Sequence, residues 1–237
     1  MKTSLTILIL IFVFSFTSVA QNALDISANV DVDTKTISVD QTIVYKNETN
    51  LELKEIYLSD WNNSYSTKTT PLAKRFEEEF STKFHLAKSE QRGYTLVTSI
   101  KDEDSTSLEH TRLKEHPDVI KVTLSKPLKA GASYHINLNY SLLIPDATFT
   151  DYGVTKNQDF QLKYWYITPV VFDGKWHYYS NKNLDDLFIP KSDITLRITY
   201  PRNYKVTSEL DFNNLESDLK NLTQTITLFG KDRIDTY

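Results

Sequence analysis

The stretch that decides the fold is residues 159–176, DFQLKYWYITPVVFDGKW. Its first half alternates between two faces, with Phe160, Leu162, Tyr164 and Tyr166 on one and Gln161, Lys163, Trp165 and Ile167 on the other. From Pro169 to Phe172 it is wholly apolar. Runs of β-branched and aromatic residues are typical of a strand buried on both faces, and Asp173-Gly174 offers a turn at its end. We therefore predict a central sheet strand whose end reaches a functional surface.

Several other segments alternate between apolar and polar residues, which is typical of antiparallel strands that cover a core on one side. These segments are residues 23–32, 37–45, 132–144 and 194–200. Residues 101–115 are charged and are expected to form an irregular, mobile loop. The predicted fold class is mainly β, an antiparallel β-sandwich or saddle with one short amphipathic helix and long loops.

The one predicted helix follows Thr70-Pro71. Threonine is a favoured N-cap residue, and proline is favoured at the first helical position. Leu72, Phe76 and Phe80 then recur every four residues, so we expect all three side chains to bury against the sheet.

The first twenty residues have the pattern of a secretory signal peptide. Lys2 precedes an apolar run over residues 5–16, and Ser18-Val19-Ala20 places small residues before Gln21. That run is shorter than the roughly 20 residues that cross a bilayer. We expect a signal peptide over 1–20, a β-domain over 21–237 that is truncated at its C-terminal end, and no membrane span after cleavage. The expected location is secreted, periplasmic or in the cell envelope.

Composition narrows the chemistry that this chain can perform. It contains no cysteine, which excludes thiolate metal sites and thiol nucleophiles. A formal charge of −4 argues against a nucleic-acid partner.

None of the five histidines lies in an H-E-x-x-H motif. His110 and His116 are close enough in sequence to be considered as a zinc pair, and His177 is the histidine placed near the end of the central stretch. The acid pair Asp185-Asp186 fits a turn better than a glycosidase dyad, whose two acids must flank one bond. The residues alone therefore predict no catalytic and no metal-binding set in this chain.

Two stretches are similar to a known family. Residues 30–58, VDVDTKTISVDQTIVYKNETNLELKEIYL, resemble the opening of the N-terminal domain of the aminopeptidase N family of zinc metallopeptidases. Asp185-Asp186-Leu187 followed by residues 193–210, DITLRITYPRNYKVTSEL, resembles a later segment of the same domain. Residues 61–80 and 92–94 look like divergent, exported members found in Bacteroidetes-type bacteria.

The resemblance implies a saddle-shaped β-domain that packs on a thermolysin-like catalytic domain. That second domain would carry the H-E-x-x-H motif and the zinc, so the chain itself would need no cofactor, and its partners would be its own missing catalytic domain and a peptide substrate. The family also implies a residue late in the first domain that helps to bind the substrate's amino terminus. Thr168 is the nearest match, where the family usually has glutamine or glutamate, and Tyr166 and Asp173 are the other substrate-binding candidates.

The expected function is therefore a non-catalytic N-terminal domain of an exported zinc aminopeptidase or aminopeptidase-like protein, which helps to shape the peptide cleft. Whether the chain is an enzyme by itself is left open. The alternative is a secreted binding module for carbohydrate or a cell-surface partner, with Trp61, Tyr65, Trp165 and Trp176 as an exposed stacking platform. A self-contained hydrolase that uses Asp185 and Asp186 is a further alternative.

Overall fold

A computed structural model of the chain describes residues 22–184 and 188–236. The predicted signal peptide (1–20) and the acid pair Asp185-Asp186 lie outside the described residues. The strands are β1 (Asn22–Asp31), β2 (Thr36–Lys46), β3 (Leu53–Ser59), β4 (Tyr94–Lys101), β5 (His110–Arg112), β6 (Val119–Leu128), β7 (Ser133–Leu143), β8 (Gly153–Val154), β9 (Phe160–Gln161), β10 (Thr168–Pro169), β11 (Ser192–Pro201), β12 (Asp211–Asp218) and β13 (Thr223–Arg233). The helices are α1 (Pro71–Glu78) and α2 (Lys83–Leu86), with 3-10 turns at Trp61–Tyr65 and Ser89–Gln91.

Two sheets carry the fold. The larger has seven strands in the order β12-β13-β11-β1-β2-β7-β4, and the smaller has four in the order β10-β3-β6-β5. All pairs are antiparallel except β1 with β11. The buried side chains of both sheets form one apolar cluster. The predicted β-rich, mainly antiparallel class is confirmed.

The alternation in β1, β2, β7 and β11 is observed as predicted. In each strand most apolar residues of the predicted inward face are buried, and most of their neighbours are exposed or half-buried; Val30 and Tyr134, near strand ends, are half-buried. Because side chains of a strand point alternately to the two faces, this pattern orients one face of the large sheet toward the core.

The organising stretch is not the continuous strand that its pattern predicts. Only β9 and the short β10 are strands, and Tyr164 between them lies in the left-handed region at φ 51°. Trp165, Tyr166 and Ile167 are all buried, although they follow one another in sequence. These three consecutive side chains are buried because the fold encloses an irregular segment of the chain. Their burial does not come from pairing with neighbouring strands.

Side chains supply the hydrogen bonds that a sheet ladder would have supplied. Gln41 on β2 donates from Nε2 to the carbonyl oxygen of Ile167 at 2.7 Å. Tyr140 on β7 donates its hydroxyl to Oε1 of Gln41 at 2.6 Å and accepts the Ile167 N–H at 3.2 Å. All three residues are buried. This closed network satisfies both backbone groups of Ile167, which is the condition for burying irregular backbone.

The helix begins as predicted, but one of its three apolar residues does not bury. Thr70 accepts the Ala73 N–H at 3.2 Å, and Pro71 is the first helical residue. Leu72 and Phe76 are buried, whereas Phe80 is 93% exposed. The helix ends before Phe80, which adopts φ 56° as the Ser81 N–H bonds back to the Phe76 carbonyl. That C-terminal turn points the Phe80 side chain away from the core.

Two further segments differ from the sequence prediction. The expected loop over residues 101–115 contains strand β5 and buries Leu108 and Asp102. Strand β12 was not predicted, because all eight of its residues are exposed and it carries no amphipathic pattern. It forms by pairing with β13 alone.

Replacing Gln41 with leucine should lower the free energy of unfolding by about 2 to 4 kcal/mol, because it leaves the buried Ile167 carbonyl without a donor and the buried Tyr140 O–H without an acceptor. Urea unfolding measures the change. The matched control is Gln161→Leu, the same substitution at an exposed position, which should change stability by less than about 0.5 kcal/mol. Equal effects at both sites would contradict the role of the network.

Replacing Phe80 with glycine should raise the free energy of unfolding by about 0.5 to 1 kcal/mol, because glycine adopts the left-handed conformation without steric cost and the exposed ring loses no burial. Thermal and urea unfolding measure the gain. Phe80→Ala keeps the Cβ atom and should show no such gain. A destabilised glycine variant would mean that the Phe80 ring makes contacts that matter.

Candidate functional site

The organising stretch emerges at the surface in a tight turn. Phe172 and Trp176 form an isolated bridge across Asp173-Gly174, as the turn prediction requires. Oδ1 of Asp173 lies 2.7 Å from Nε2 of His177. This hydrogen bond holds the pKa of the Asp173 carboxyl below its usual range. The turn therefore presents an exposed carboxylate whose position is set by an imidazole.

A cavity of about 570 Å³ lies beside this turn. We call it the histidine pocket, and it is lined by Ser59, Trp61, His116, His177, Tyr179, Ser180, Asn181, Lys182, Leu184, Phe188 and Ile189. His116 comes from the segment before β6, and its Nδ1 atom lies 2.9 Å from the Ser180 hydroxyl. Phe188 packs edge-on against His177, with ring centroids 5.3 Å apart. Two imidazoles and several rings therefore face one open cavity.

A stack of aromatic side chains supports the turn from below. Trp176 packs against Phe172, Tyr45 and Tyr57, with ring centroids 4.8 to 6.0 Å apart. Tyr57 on β3 also stacks on Tyr178 at 5.2 Å. Because rings in such contacts fix each other's orientation, the surface that carries Asp173 is attached to both sheets.

Asp118 anchors the segment that follows the turn. Its Oδ2 atom accepts the Asn181 N–H at 2.7 Å, and its carbonyl accepts the Asp60 N–H at 2.8 Å. The carboxylate is fully buried, and its Oδ1 atom has no hydrogen-bond partner among the described residues. Burial raises the pKa of Asp118 from 3.8 to about 6. The sequence contains no signal for this residue, since a lone aspartate before a strand is usually exposed.

The three predicted substrate-binding residues lie in different environments. Tyr166 and Thr168 are buried between the sheets, and Asp173 is exposed. Burial raises the pKa of the Tyr166 hydroxyl well above its ordinary value. In this chain, Asp173 is the one of the three whose side chain a ligand can reach directly.

The predicted stacking platform for carbohydrate is wrong. Tyr65 and Trp165 are each only 2% exposed. The Tyr65 hydroxyl pairs with Thr150 at 2.7 Å, and the Trp165 indole donates to Thr236 at 3.1 Å. Trp176 is half-buried within the aromatic stack, and Trp61 is half-buried at the edge of the histidine pocket. The four rings therefore do not share one exposed face.

The family resemblance places zinc in a separate catalytic domain and not in this chain. Residues 22–184 and 188–236 contain no group of three or more histidine, cysteine or acidic side chains placed to hold a metal ion. His110 contacts the Leu108 carbonyl at 3.2 Å and His116 contacts Ser180 at 2.9 Å, and neither histidine belongs to such a group. Among the same residues, no helix has the length and apolar character that a bilayer crossing requires.

Comparison with known proteins finds similarity to solved structures only. The chain is similar to the M1 zinc metallopeptidase from Deinococcus radiodurans, with 13% identity and a TM-score of 0.47 over 88% of this chain and 37% of that one. A mutant of that enzyme bound to a Tyr-Ser-Ala substrate matches with 14% identity and a TM-score of 0.48 over 88% of this chain and 39% of that one. A mutant of a two-domain M1 zinc metallopeptidase bound to L-tryptophan matches with 13% identity and a TM-score of 0.49 over 91% and 40%.

This chain therefore spans about two fifths of the length of these solved structures. No protein-family model matches the sequence. No curated protein matches it.

Replacing Asp118 with asparagine should remove a pH dependence of stability while preserving the bond to Asn181. Because the folded-state pKa is raised, the stabilising contribution is complete below about pH 4 and is lost as pH rises through about 6. At pH 8 the variant should be more stable than the parent by up to about 3 kcal/mol, and near pH 4 the two should converge. Urea unfolding between pH 4 and 8 measures this difference, and a parent that gains stability relative to the variant at high pH would contradict it.

Proposed function

We propose that this chain is the non-catalytic N-terminal β-domain of an exported zinc aminopeptidase or aminopeptidase-like protein. In this proposal the domain packs on a catalytic domain that holds the zinc, and the surface that carries Asp173 and the histidine pocket forms one wall of the peptide cleft. The domain is delivered outside the cytoplasm by the predicted signal peptide over 1–20.

The sequence resemblance supports the proposal, because its segments coincide with whole structural elements. Residues 30–58 cover the end of β1, all of β2 and all of β3 except its last residue. Residues 193–210 begin in β11, which pairs with β1 in the centre of the large sheet. The two stretches therefore contribute β2 and β11, the two strands that flank β1 in the large sheet, although they are distant in the chain.

The observation that carries the proposal is the course of residues 159–176. The family resemblance assigns recognition of the substrate amino terminus to this stretch, and it runs from the core directly to an exposed carboxylate beside an open cavity. A carboxylate at such a position can pair with the ammonium group of a peptide amino terminus. The His177 contact and the aromatic stack hold it there.

Replacing Asp173 with asparagine in the full-length protein should raise KM for aminoacyl p-nitroanilides about three- to tenfold, with little change in kcat. The reason is that an exposed ion pair with the substrate ammonium contributes roughly 1 kcal/mol. Steady-state kinetics at neutral pH in the presence of zinc measures the effect.

The matched control is Asp211→Asn, which removes an exposed carboxylate on β12 and should leave both constants unchanged. An unchanged KM in the Asp173 variant would remove the proposed contact while leaving the domain assignment in place. The peptidase assignment itself would be overturned if the couple of hundred residues encoded after Tyr237 lacked H-E-x-x-H. It would also be overturned if the full-length protein hydrolysed no aminoacyl substrate.

A further inference from the structure

A second cavity shares Trp61, Asn181 and Leu184 with the histidine pocket. It has a volume of about 280 Å³, and we call it the polar cleft. Its lining includes Trp61, Asn62, Tyr65, Thr150, Asp151, Tyr152, Lys163, Tyr164, Asn181 and Asn183. Hydroxyl, amide and charged groups dominate this set, in contrast to the apolar lining that is common in small-molecule sites.

The floor of the polar cleft is held in place by buried hydrogen bonds. The Tyr152 hydroxyl donates to Oδ1 of Asn62 at 2.8 Å. Nδ2 of Asn62 donates to the Tyr94 carbonyl at 2.7 Å, which attaches the floor to β4. The Tyr65 and Thr150 hydroxyls pair at 2.7 Å. A site whose walls are fixed before the ligand arrives loses less conformational freedom on binding.

Two aromatic rings form a corner of the cleft. Trp61 and Tyr164 meet edge to face, with centroids 5.1 Å apart and planes at 68°. Both rings line the cavity, and the Lys163 ammonium lies over the Tyr164 ring, 5.5 Å from its centroid. Aromatic faces carry a partial negative charge that favours contact with polarised C–H groups, and the ring supplies a flat apolar surface.

The rim offers both hydrogen-bond donors and acceptors. Asp151, Lys163 and Asn183 are all exposed at the mouth of the cleft. The carboxylate accepts, the ammonium donates, and the amide does both. Because the two formal charges cancel, the rim favours a neutral polar ligand over an anionic or a cationic one.

We propose that the polar cleft binds a neutral saccharide, with a sugar ring against the Trp61–Tyr164 corner and its hydroxyls on Asp151, Lys163 and Asn183. A sugar ring presents an apolar C–H face and a rim of hydroxyls that both donate and accept, which is the complement of this lining. Trp61 and Asn181 also line the histidine pocket, so an oligosaccharide extends from one cavity into the other past the indole ring.

An extended peptide is the less favoured occupant of the polar cleft, because backbone donors of its lining are already engaged. The Tyr164 N–H bonds Asp235, the Tyr152 N–H bonds the Thr150 hydroxyl, and the Asn181 N–H bonds Asp118. A peptide that adds to a sheet edge needs such groups to be free.

Isothermal titration calorimetry of the full-length protein against neutral xylo-, cello- and chito-oligosaccharides tests the proposal. At least one series should bind, and Trp61→Ala should weaken that binding by about tenfold or more, equivalent to about 1.4 kcal/mol. The matched control is Phe212→Ala, which removes an exposed aromatic ring on β12 and should bind as the parent does.

The rim variants Asp151→Asn and Lys163→Met keep the test decisive if the Trp61 variant does not fold. Each should weaken saccharide binding severalfold, whereas Lys205→Met, an exposed lysine at a different cavity, should not. Absence of binding by every saccharide would overturn the proposal, as would binding that the cleft variants leave intact. Binding of peptides that Trp61→Ala abolishes, without saccharide binding, would assign the cleft to peptide instead.

Discussion

The structure depends on the closed hydrogen-bond network that joins Gln41, Tyr140 and the backbone of Ile167. An irregular segment can occupy a core only when its N–H and C=O groups find partners there. Here one side-chain amide and one phenol, from adjacent strands of the large sheet, provide both. Without them the segment would have to join a sheet or leave the core, and the two sheets would lose the layer that fills the space between them.

That constraint determines what the surface presents. Since residues 165–170 are held inside, the chain must turn at Asp173-Gly174 and place its next residues outside. The aromatic stack beneath Trp176 and the buried carboxylate of Asp118 then attach the emerging segment to the smaller sheet. The histidine pocket and the polar cleft share Trp61, Asn181 and Leu184 in their linings. The proposed wall of a peptide cleft and the proposed saccharide site would therefore lie next to each other on one surface.

Much of the fold could be predicted from periodicity, because β1, β2, β7 and β11 bury every second residue. The rest depended on contacts that a local pattern does not contain. The sequence of residues 160–167 has the alternation of a strand. The side chains of residues 165–167 are nevertheless all buried, because tertiary contacts surround them. Phe80 has the spacing of a buried helical residue, but the helix ends at Glu78, two residues before it. At the site, the turn at Asp173 could be predicted from its glycine, whereas burial of Asp118 is set by the fold around it.

Native-state amide hydrogen exchange of Ile167 tests the central claim most directly. If side-chain hydrogen bonds make this irregular segment part of the core, the Ile167 amide should exchange as slowly as those in the middle of β2 and β7, through global unfolding. Exchange as fast as that of the exposed residues around Gln161 would contradict the claim, because it would show that the segment opens while the sheets stay folded.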